Sequence, residues 1–342
     1  MKLSSFLLKR LLHSIFVIFG LSIMIFIIAR VVPGDPARLA LGPRAPEEVV
    51  QRLRQEMYLD KPLPEQYFYW IKGVLSGDFG RSSFTKRAVS EDIKESFSAT
   101  MELVIFAGIL MVIFAVLLGI LAARYKDAWV DNLIRTLSYF GVAIPAFVAA
   151  IIFMLLFGCY WPILPVLGRL SPGISLPTKI TGLLTLDSLI EGNFVAFWDA
   201  FKHLILPSVA LSLGPLFQEA RIARSSMVEN MRKDFLFAER GYGISERVIM
   251  FKYLLKPSLI PMVSVMGLDL SALFSAAFLV EMIFNWPGIS RYGTNVMLHK
   301  DLNGISAVTI VLGAVFVVVN VIVDIIVAFL DPRIRLGTNQ GI

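Results

Sequence analysis

Leu103 to Ala123 reads "LVIFAGILMVIFAVLLGILAA", twenty-one residues with no charge and no proline. Fourteen of them are Leu, Ile, Val or Phe. At about −0.3 to −0.6 kcal/mol each, these favour insertion into a bilayer by roughly 4 to 8 kcal/mol. A hydrocarbon core about 30 Å thick is crossed by around 20 helical residues, because the backbone must satisfy its own hydrogen bonds where water is absent. This stretch therefore predicts a membrane-spanning helix, and the rest of the chain is read outward from it.

Five further runs meet the same demand, giving spans at roughly 11–31, 103–123, 136–160, 204–220, 259–280 and 305–330. The whole chain agrees: of 342 residues 56% are apolar and 17% charged, with a mean hydropathy of +0.73, well beyond a soluble domain of this length. The predicted fold class is an all-α polytopic membrane protein of about six transmembrane helices. The first run follows Lys9 and Arg10 but lacks a small-x-small cleavage pattern, so it reads as an uncleaved anchor rather than a signal peptide. The fourth run is interrupted by Pro207, Gly214 and Pro215, which predicts a bent or broken helix. The single cysteine, Cys159, lies in an apolar run and reads as a small core hydrophobe.

Lys and Arg decide the orientation. Six spans put both termini on one side. With that side cytoplasmic, the inner segments hold sixteen basic residues, eight of them between spans four and five, and the two shorter outer loops hold five. The other eleven lie in the long segment from Arg30 to Glu102, which exceeds the length over which the rule is informative. The net charge of +6 is thus a topology signal, and no nucleic-acid partner is expected. The organisation follows: an anchor helix at 1–31, an extracytoplasmic region at 32–102 with amphipathic helices, a permeating core at 103–335 with an outer loop at 161–203 and a cytoplasmic loop at 221–258, and a tail at 336–342.

The long outer segment carries its own patterns. In "PEEVVQRLRQEMYL", Pro46 suits a first helical position, Glu47 and Glu48 suit the positive end of the dipole, and Val49, Val50, Leu53 and Met57 recur at helical spacing. Downstream, Tyr67, Phe68, Tyr69 and Trp70 form either an aromatic belt at the lipid interface or a small external cap.

Catalytic chemistry finds few materials. His13, His203 and His299 fall at or near span ends, no HExxH or other metal spacing occurs, and there is no GxxxxGK[ST] phosphate loop. An intramembrane hydrolase lacks a nucleophile–base pair, so the chain is not expected to be an enzyme. Two carboxyls lie inside spans. Asp269 costs about 2.5 to 3.5 kcal/mol at a helix centre, which the apolar residues of its span absorb; it reads either as a polar point in a translocation path or as an interhelical hydrogen bond. Asp324 shares a helix face with Asn320 and admits the same two readings.

Between spans four and five, "DFLFAERGYGISERVIMFKYLLKP" (Asp234–Pro257) is a charged run in an otherwise oily chain. "DFLFAER" predicts a short helix, Gly241 and Gly243 a break, and Ser245 the N-cap of a second helix leading into span five. Phe235 and Phe237, flanked by charges, form either a protein-binding anchor or a patch that folds back onto the membrane.

This run resembles the cytoplasmic "EAA" loop of importer-type ABC transporter permeases. Setting Gly243 on the motif's glycine puts Phe237, Ala238 and Glu239 at its Glu-Ala-Ala positions, of which Ala238 matches. The run is more similar to the dipeptide, oligopeptide and nickel branch, with the pattern D-[FY]-x-x-x-A-x-x-x-G-[LI]-S. Asp234, Phe235, Gly243, Ile244 and Ser245 fit it, and Glu239 departs from it. "RVVPGDPA" (Arg30–Ala37), "LDKPLPEQYFYWIKGVLSGDFGRS" (Leu59–Ser82), "HLILPSVALSL" (His203–Leu213), "VEMIFNWPGISR" (Val280–Arg291) and "LDPRIR" (Leu330–Arg335) are similar to the same branch in the same order.

The resemblance implies a permease in a bacterial or archaeal cytoplasmic membrane, multi-pass and surrounded by lipid, with both termini cytoplasmic. It implies a second homologous permease subunit, two cytosolic ATPase subunits and an extracytoplasmic substrate-binding protein as partners. It further implies that Asp234, Phe235, Phe237, Ala238, Glu239, Gly243 and Ser245 form a coupling helix seated on an ATPase. No cofactor is expected on this chain; ATP and Mg belong to the partner ATPases. Dipeptides, oligopeptides, nickel and oligosaccharides are all cargoes of such permeases. The competing class is a stand-alone secondary transporter or channel, which is expected to show more intramembrane ionisable groups and an internal repeat; no repeat is evident.

Overall fold

The computed structural model describes residues 3–31, 35–42 and 44–330. "LDPRIR" beyond Leu330, the tail at 336–342 and the terminal basic residues Lys2, Arg333 and Arg335 lie outside the described residues, as do positions 32–34 of "RVVPGDPA". The regular elements of the described residues are all helices, apart from one isolated antiparallel bridge between Arg81 and Ala88. Its helices are α1 (Leu3–Val31), α2 (Pro36–Leu41), α3 (Glu47–Glu56), α4 (Leu63–Leu75), α5 (Val89–Arg124), α6 (Trp129–Ala143) and α7 (Ala146–Leu155). They continue with α8 (Leu184–Glu191), α9 (Phe194–Asn230), α10 (Asp234–Gly241), α11 (Glu246–Val248), α12 (Leu255–Ile283), α13 (Ile289–Leu298) and α14 (Leu302–Leu330).

Among the described residues five helices are long and apolar enough to cross a membrane, and α6 with α7 makes a sixth if the bent pair is one span. The third span, expected to be one helix, turns by 103° between α6 and α7. Ile144 takes an extended conformation (ψ 116°) ahead of Pro145, because the proline ring disfavours helical geometry in the residue before it. The fourth span, expected to be a bent or broken helix, is unbroken from Phe194 to Asn230 with Pro207 and Pro215 inside it. Each proline removes one backbone donor, and burial of Leu206, Pro207, Ala210 and Leu211 against neighbouring helices holds the helix together across the gap. At about 1.5 Å per residue, the 37 residues of α9 and the 36 of α5 each reach well past a 30 Å hydrocarbon layer.

The α5–α9 pair is the spine, and α12 packs on it. Leu103, Ala107, Leu204, Leu211, Leu273 and Phe284 belong to one buried cluster there. Close approach depends on small residues: a Cβ on Gly119 of α5 would lie 2.6 Å from the Ala223 Cβ of α9. In lipid, such backbone proximity is a main source of helix–helix attraction. Gly119→Leu is expected to lower the melting temperature and folded yield of the purified chain through overpacking of about 1–3 kcal/mol. Gly20→Leu on α1, where a Cβ meets nothing within 4 Å, is the control and should leave both unchanged.

Helix α1 stands at the periphery against α14, with Leu11, Leu12, Ile15 and Phe16 exposed. Arg10 Nη2 donates to Asp324 Oδ1 at 2.8 Å, and Asn320 Nδ2 reaches Ser271 Oγ at 3.0 Å. Asp324 and Asn320 therefore act as interhelical ties. Cys159, expected in the core, is exposed. It lies in a π-helical turn, Leu156–Tyr160, that ends α7 and none of whose side chains is buried.

The two ends of the bundle differ. At one end the connecting segments pack into a cap. Glu102 of α5 accepts from Thr185 N and Oγ1, both at 2.7 Å, and pairs with Arg169. Trp286 Nε1 donates to Ala99 O at 2.9 Å, and Asn303 Nδ2 to Arg81 O at 3.0 Å. Within this cap, burial raises the Asp187 carboxyl, but donors from Thr181 and Gly182 outweigh it and hold the group below the usual carboxylate range. Helix α3 begins one residue later than expected, with Pro46 as its N-cap, Val50 buried and Val49 exposed. Tyr67 packs edge-on to Phe26 and bonds to Ser22 of α1 at 2.8 Å. The opposite end carries α10.

Candidate functional site

At this second end α9 stops at Asn230, and the chain turns through α10 and α11 into α12. Its anchoring begins in the core. Leu236 of α10 is fully buried with Ile120, Ala123, Met227, Ile249 and Leu254, a seat that contributes about 1.5–3 kcal/mol for a side chain of this size. Below it, Asn230 Nδ2 donates to Ser258 Oγ at 2.9 Å, tying the end of α9 to the start of α12. Arg224 grips the fully buried Asp131 with Nε and Nη2, both at 2.5 Å, and Asp131 also accepts from Asp127 N at 2.9 Å.

The turn is set by Gly243 at φ +74°. Gly243 N donates to Arg240 O at 2.9 Å and Ile244 N to Glu239 O at 3.2 Å. These two bonds end the helix in the Schellman pattern, which favours glycine at the left-handed position. Ile244 then packs onto the Leu236 cluster. Gly241, expected to share the break, is the last residue of α10. Ser245 has N-cap backbone geometry (φ −63°, ψ 142°) but its side chain makes no capping bond. The following helix has only one turn, α11, before a π-helical stretch, Ile249–Leu254, that feeds α12. Arg240 Nε closes the elbow from outside, bonding Glu246 Oε1 at 2.7 Å.

With Leu236 turned inward, the other side of α10 faces out. Asp234, Phe235, Phe237, Ala238, Gly243 and Ser245 are exposed, and Glu239 is half-buried. Phe237 is 60% exposed and Tyr242 83%. The seven residues of the sequence motif thus share one elbow, from which the Phe237 and Tyr242 rings face out, with Arg240 over the Phe237 ring at 6.0 Å.

Asp269 lies elsewhere, midway along α12 and half-buried. Gln218 Nε2 of α9 approaches its Oδ2 at 3.5 Å. Beside it is a residue the sequence reading passed over: Glu219, fully buried, whose carboxyl meets that of Asp269 and is bonded by no hydroxyl, amide or basic group among the described residues. At the end of the apolar run 204–220, Glu219 looks like an interfacial charge, and only the full extent of α9 reveals it as internal. Glu281, just beyond the fifth run, is also buried but fully engaged: Thr100 Oγ1 at 2.5 Å and Ser290 N at 2.9 Å donate to it. Among the described residues no group of three His, Cys, Asp or Glu side chains is arranged to hold a metal ion.

A helical bundle of five or six spans, capped at one end and bearing an exposed aromatic elbow at the other, defines a polytopic membrane transport subunit. Residues 115–336 match the family described as binding-protein-dependent transport system inner membrane component, and residues 3–104 match its N-terminal companion. The chain belongs to this family. It is 36% identical over 336 residues to the probable D,D-dipeptide transport system permease protein DdpB of Escherichia coli K12, covering 98% of this chain and 99% of that one. It is 35% identical to the dipeptide transport system permease protein DppB of Alkalihalophilus pseudofirmus, over 97% and 99% of the two chains. It is 33% identical to the glutathione transport system permease protein GsiC of Salmonella typhimurium, with the same coverage.

Proposed function

We propose that this chain forms half of the translocation pathway of an ATP-driven importer for peptides or related small solutes. A second homologous permease supplies the other half, an extracytoplasmic binding protein delivers the cargo to the capped end, and two ATPase subunits drive the cycle from the elbow end. In this reading both termini and the elbow are cytoplasmic, consistent with the sixteen basic residues that fall on that side. ATP and Mg are handled on the ATPase chains. The named cargoes of the relatives, dipeptides and glutathione, support a peptide-like substrate.

The observation that carries this reading is the elbow itself. Aromatic side chains with a rigid backing and no partner are the usual anchors of protein interfaces. Leu236 fixes α10 to the bundle, so force applied at Phe235, Phe237 and Tyr242 passes through the Gly243 turn directly into α9 and α12. Asp234, Glu239 and Ser245 form the polar rim of the same contact, Ala238 lies on its exposed apolar face, and Asp269 borders the path.

The test is co-purification. Phe235→Asp puts a charge into the proposed contact without touching the Leu236 seat. An anchor of this kind is worth 2 kcal/mol or more, so ATPase binding is expected to weaken by about 30-fold or more, while the chain remains in the membrane fraction. Retained ATPase binding and normal uptake in this variant would remove the coupling role from the elbow.

A further inference from the structure

Glu219 is the anomaly of the bundle. A carboxyl taken out of water is costly unless a donor or cation meets it, and as a carboxylate more so; yet Glu219 is 0% exposed and no hydroxyl, amide or basic group bonds its oxygens among the described residues. The charged group facing it is another acid, Asp269, across the α9–α12 contact. Among the described residues no basic side chain acts on the pair. The next arginines along α9 are Arg221, which is exposed, and Arg224, which is committed to Asp131. Elsewhere within the spans the buried carboxyls are satisfied, Asp131 by Arg224 and Glu281 by Thr100 and Ser290.

We propose that Glu219, Asp269 and Gln218 form a site for the protonated amine of the cargo as it passes the membrane midplane. An ammonium group carries three N–H donors and one positive charge. The two carboxylate oxygens of Asp269 and the Gln218 amide oxygen supply three acceptors, and two acidic groups with no counter-cation gain strongly from one added positive charge in a low-dielectric setting. Asp269, half-exposed on α12, meets the amine. Glu219, behind it, is a positioning residue that raises the negative potential there. A divalent metal fits less well, since hard cations take six or more oxygen ligands and no three-carboxylate cluster is present among the described residues. The inference rests on the peptide-import reading and deepens it: the permease itself, not only its binding protein, reads a free amino group.

The experiment uses the complete complex, with binding protein, both permeases and ATPases, in proteoliposomes. Uptake of L-alanyl-L-alanine is compared with that of its N-acetyl derivative, in the wild type and in Glu219→Gln and Asp269→Asn, all with the same binding protein. The wild type is expected to favour the free amine by about tenfold, the equivalent of about 1.4 kcal/mol. Both variants are expected to bring that ratio close to one while the subunit composition of the purified complex stays as in the wild type. A ratio unchanged in both variants, or no preference in the wild type, would overturn the amine site while leaving the importer reading intact. Loss of the second permease from the variant complexes would overturn it too, by showing that the acids pair with a basic residue of that subunit. Absence of ATP-driven uptake of either peptide by the wild type would instead overturn the peptide-import reading, and the amine site with it.

Discussion

Gly243→Pro is expected to abolish ATPase co-purification and ATP-driven uptake while the chain still inserts into the membrane. Gly243 has φ +74°, whereas proline fixes φ near −65°. The substitution also deletes the N–H that bonds Arg240 O at 2.9 Å. The helix end that turns Ile244 back onto the Leu236 cluster can then no longer form, and Phe235, Phe237 and Tyr242 lose the backing that makes them an anchor. Insertion is a separate matter, set by apolar runs distant from the elbow, such as Leu103 to Ala123. Gly243→Ala separates strain from disruption: a Cβ there meets nothing within 4 Å, so the cost is the left-handed conformation alone, about 1–2 kcal/mol. That variant should retain partial ATPase binding. Equal loss in both variants would mean that flexibility at 243, rather than a fixed elbow, is what the contact requires.

The second large effect is expected at Arg224. Its guanidinium holds the fully buried Asp131 through two bonds, and through Asp131 it fixes the Asp127 turn between α5 and α6. Arg224→Met leaves an unpaired acid in the interior, which costs about 3–5 kcal/mol, and a marked fall in melting temperature and folded yield is expected. Asp131→Leu combined with Arg224→Met removes both charges and should recover much of that loss, because a buried ion pair and an apolar pair of similar volume are often equivalent in stability. If the single and double variants melt alike, the pair carries no coupling. Uptake then distinguishes packing from signalling: a stable double variant that transports normally makes the pair a structural clamp.

How much of this was legible in sequence varies by element. Span α5 declared itself because twenty-one consecutive uncharged residues admit few alternatives. The elbow was legible because Gly243 and the charges around Phe235 and Phe237 interrupt the apolar pattern. The 103° turn at Pro145 was hidden because hydropathy stays high on both sides of it; an average over a window measures oiliness, not direction. Pro207 and Pro215 left open whether the fourth span breaks: they signal lost hydrogen bonds, while packing against α5 keeps α9 continuous. The Arg10–Asp324 tie joins residues 314 positions apart, beyond the reach of any local pattern. Glu219 was invisible because a carboxylate at the apparent end of an apolar run is ordinarily solvated, and only its lack of partners makes it unusual. The exposed position of Cys159 shows the same limit: an apolar neighbourhood in sequence does not distinguish a side chain packed in the bundle from one on its surface.

The central claim is that this chain converts no energy itself and receives it at the elbow. The most direct measurement is solute accumulation against a gradient in sealed vesicles, with ATP enclosed on the elbow side and the purified chain reconstituted alone or together with its companion permease, ATPases and binding protein. Accumulation is expected in the complete system and not with the isolated chain. Uphill accumulation by the isolated chain would contradict the account.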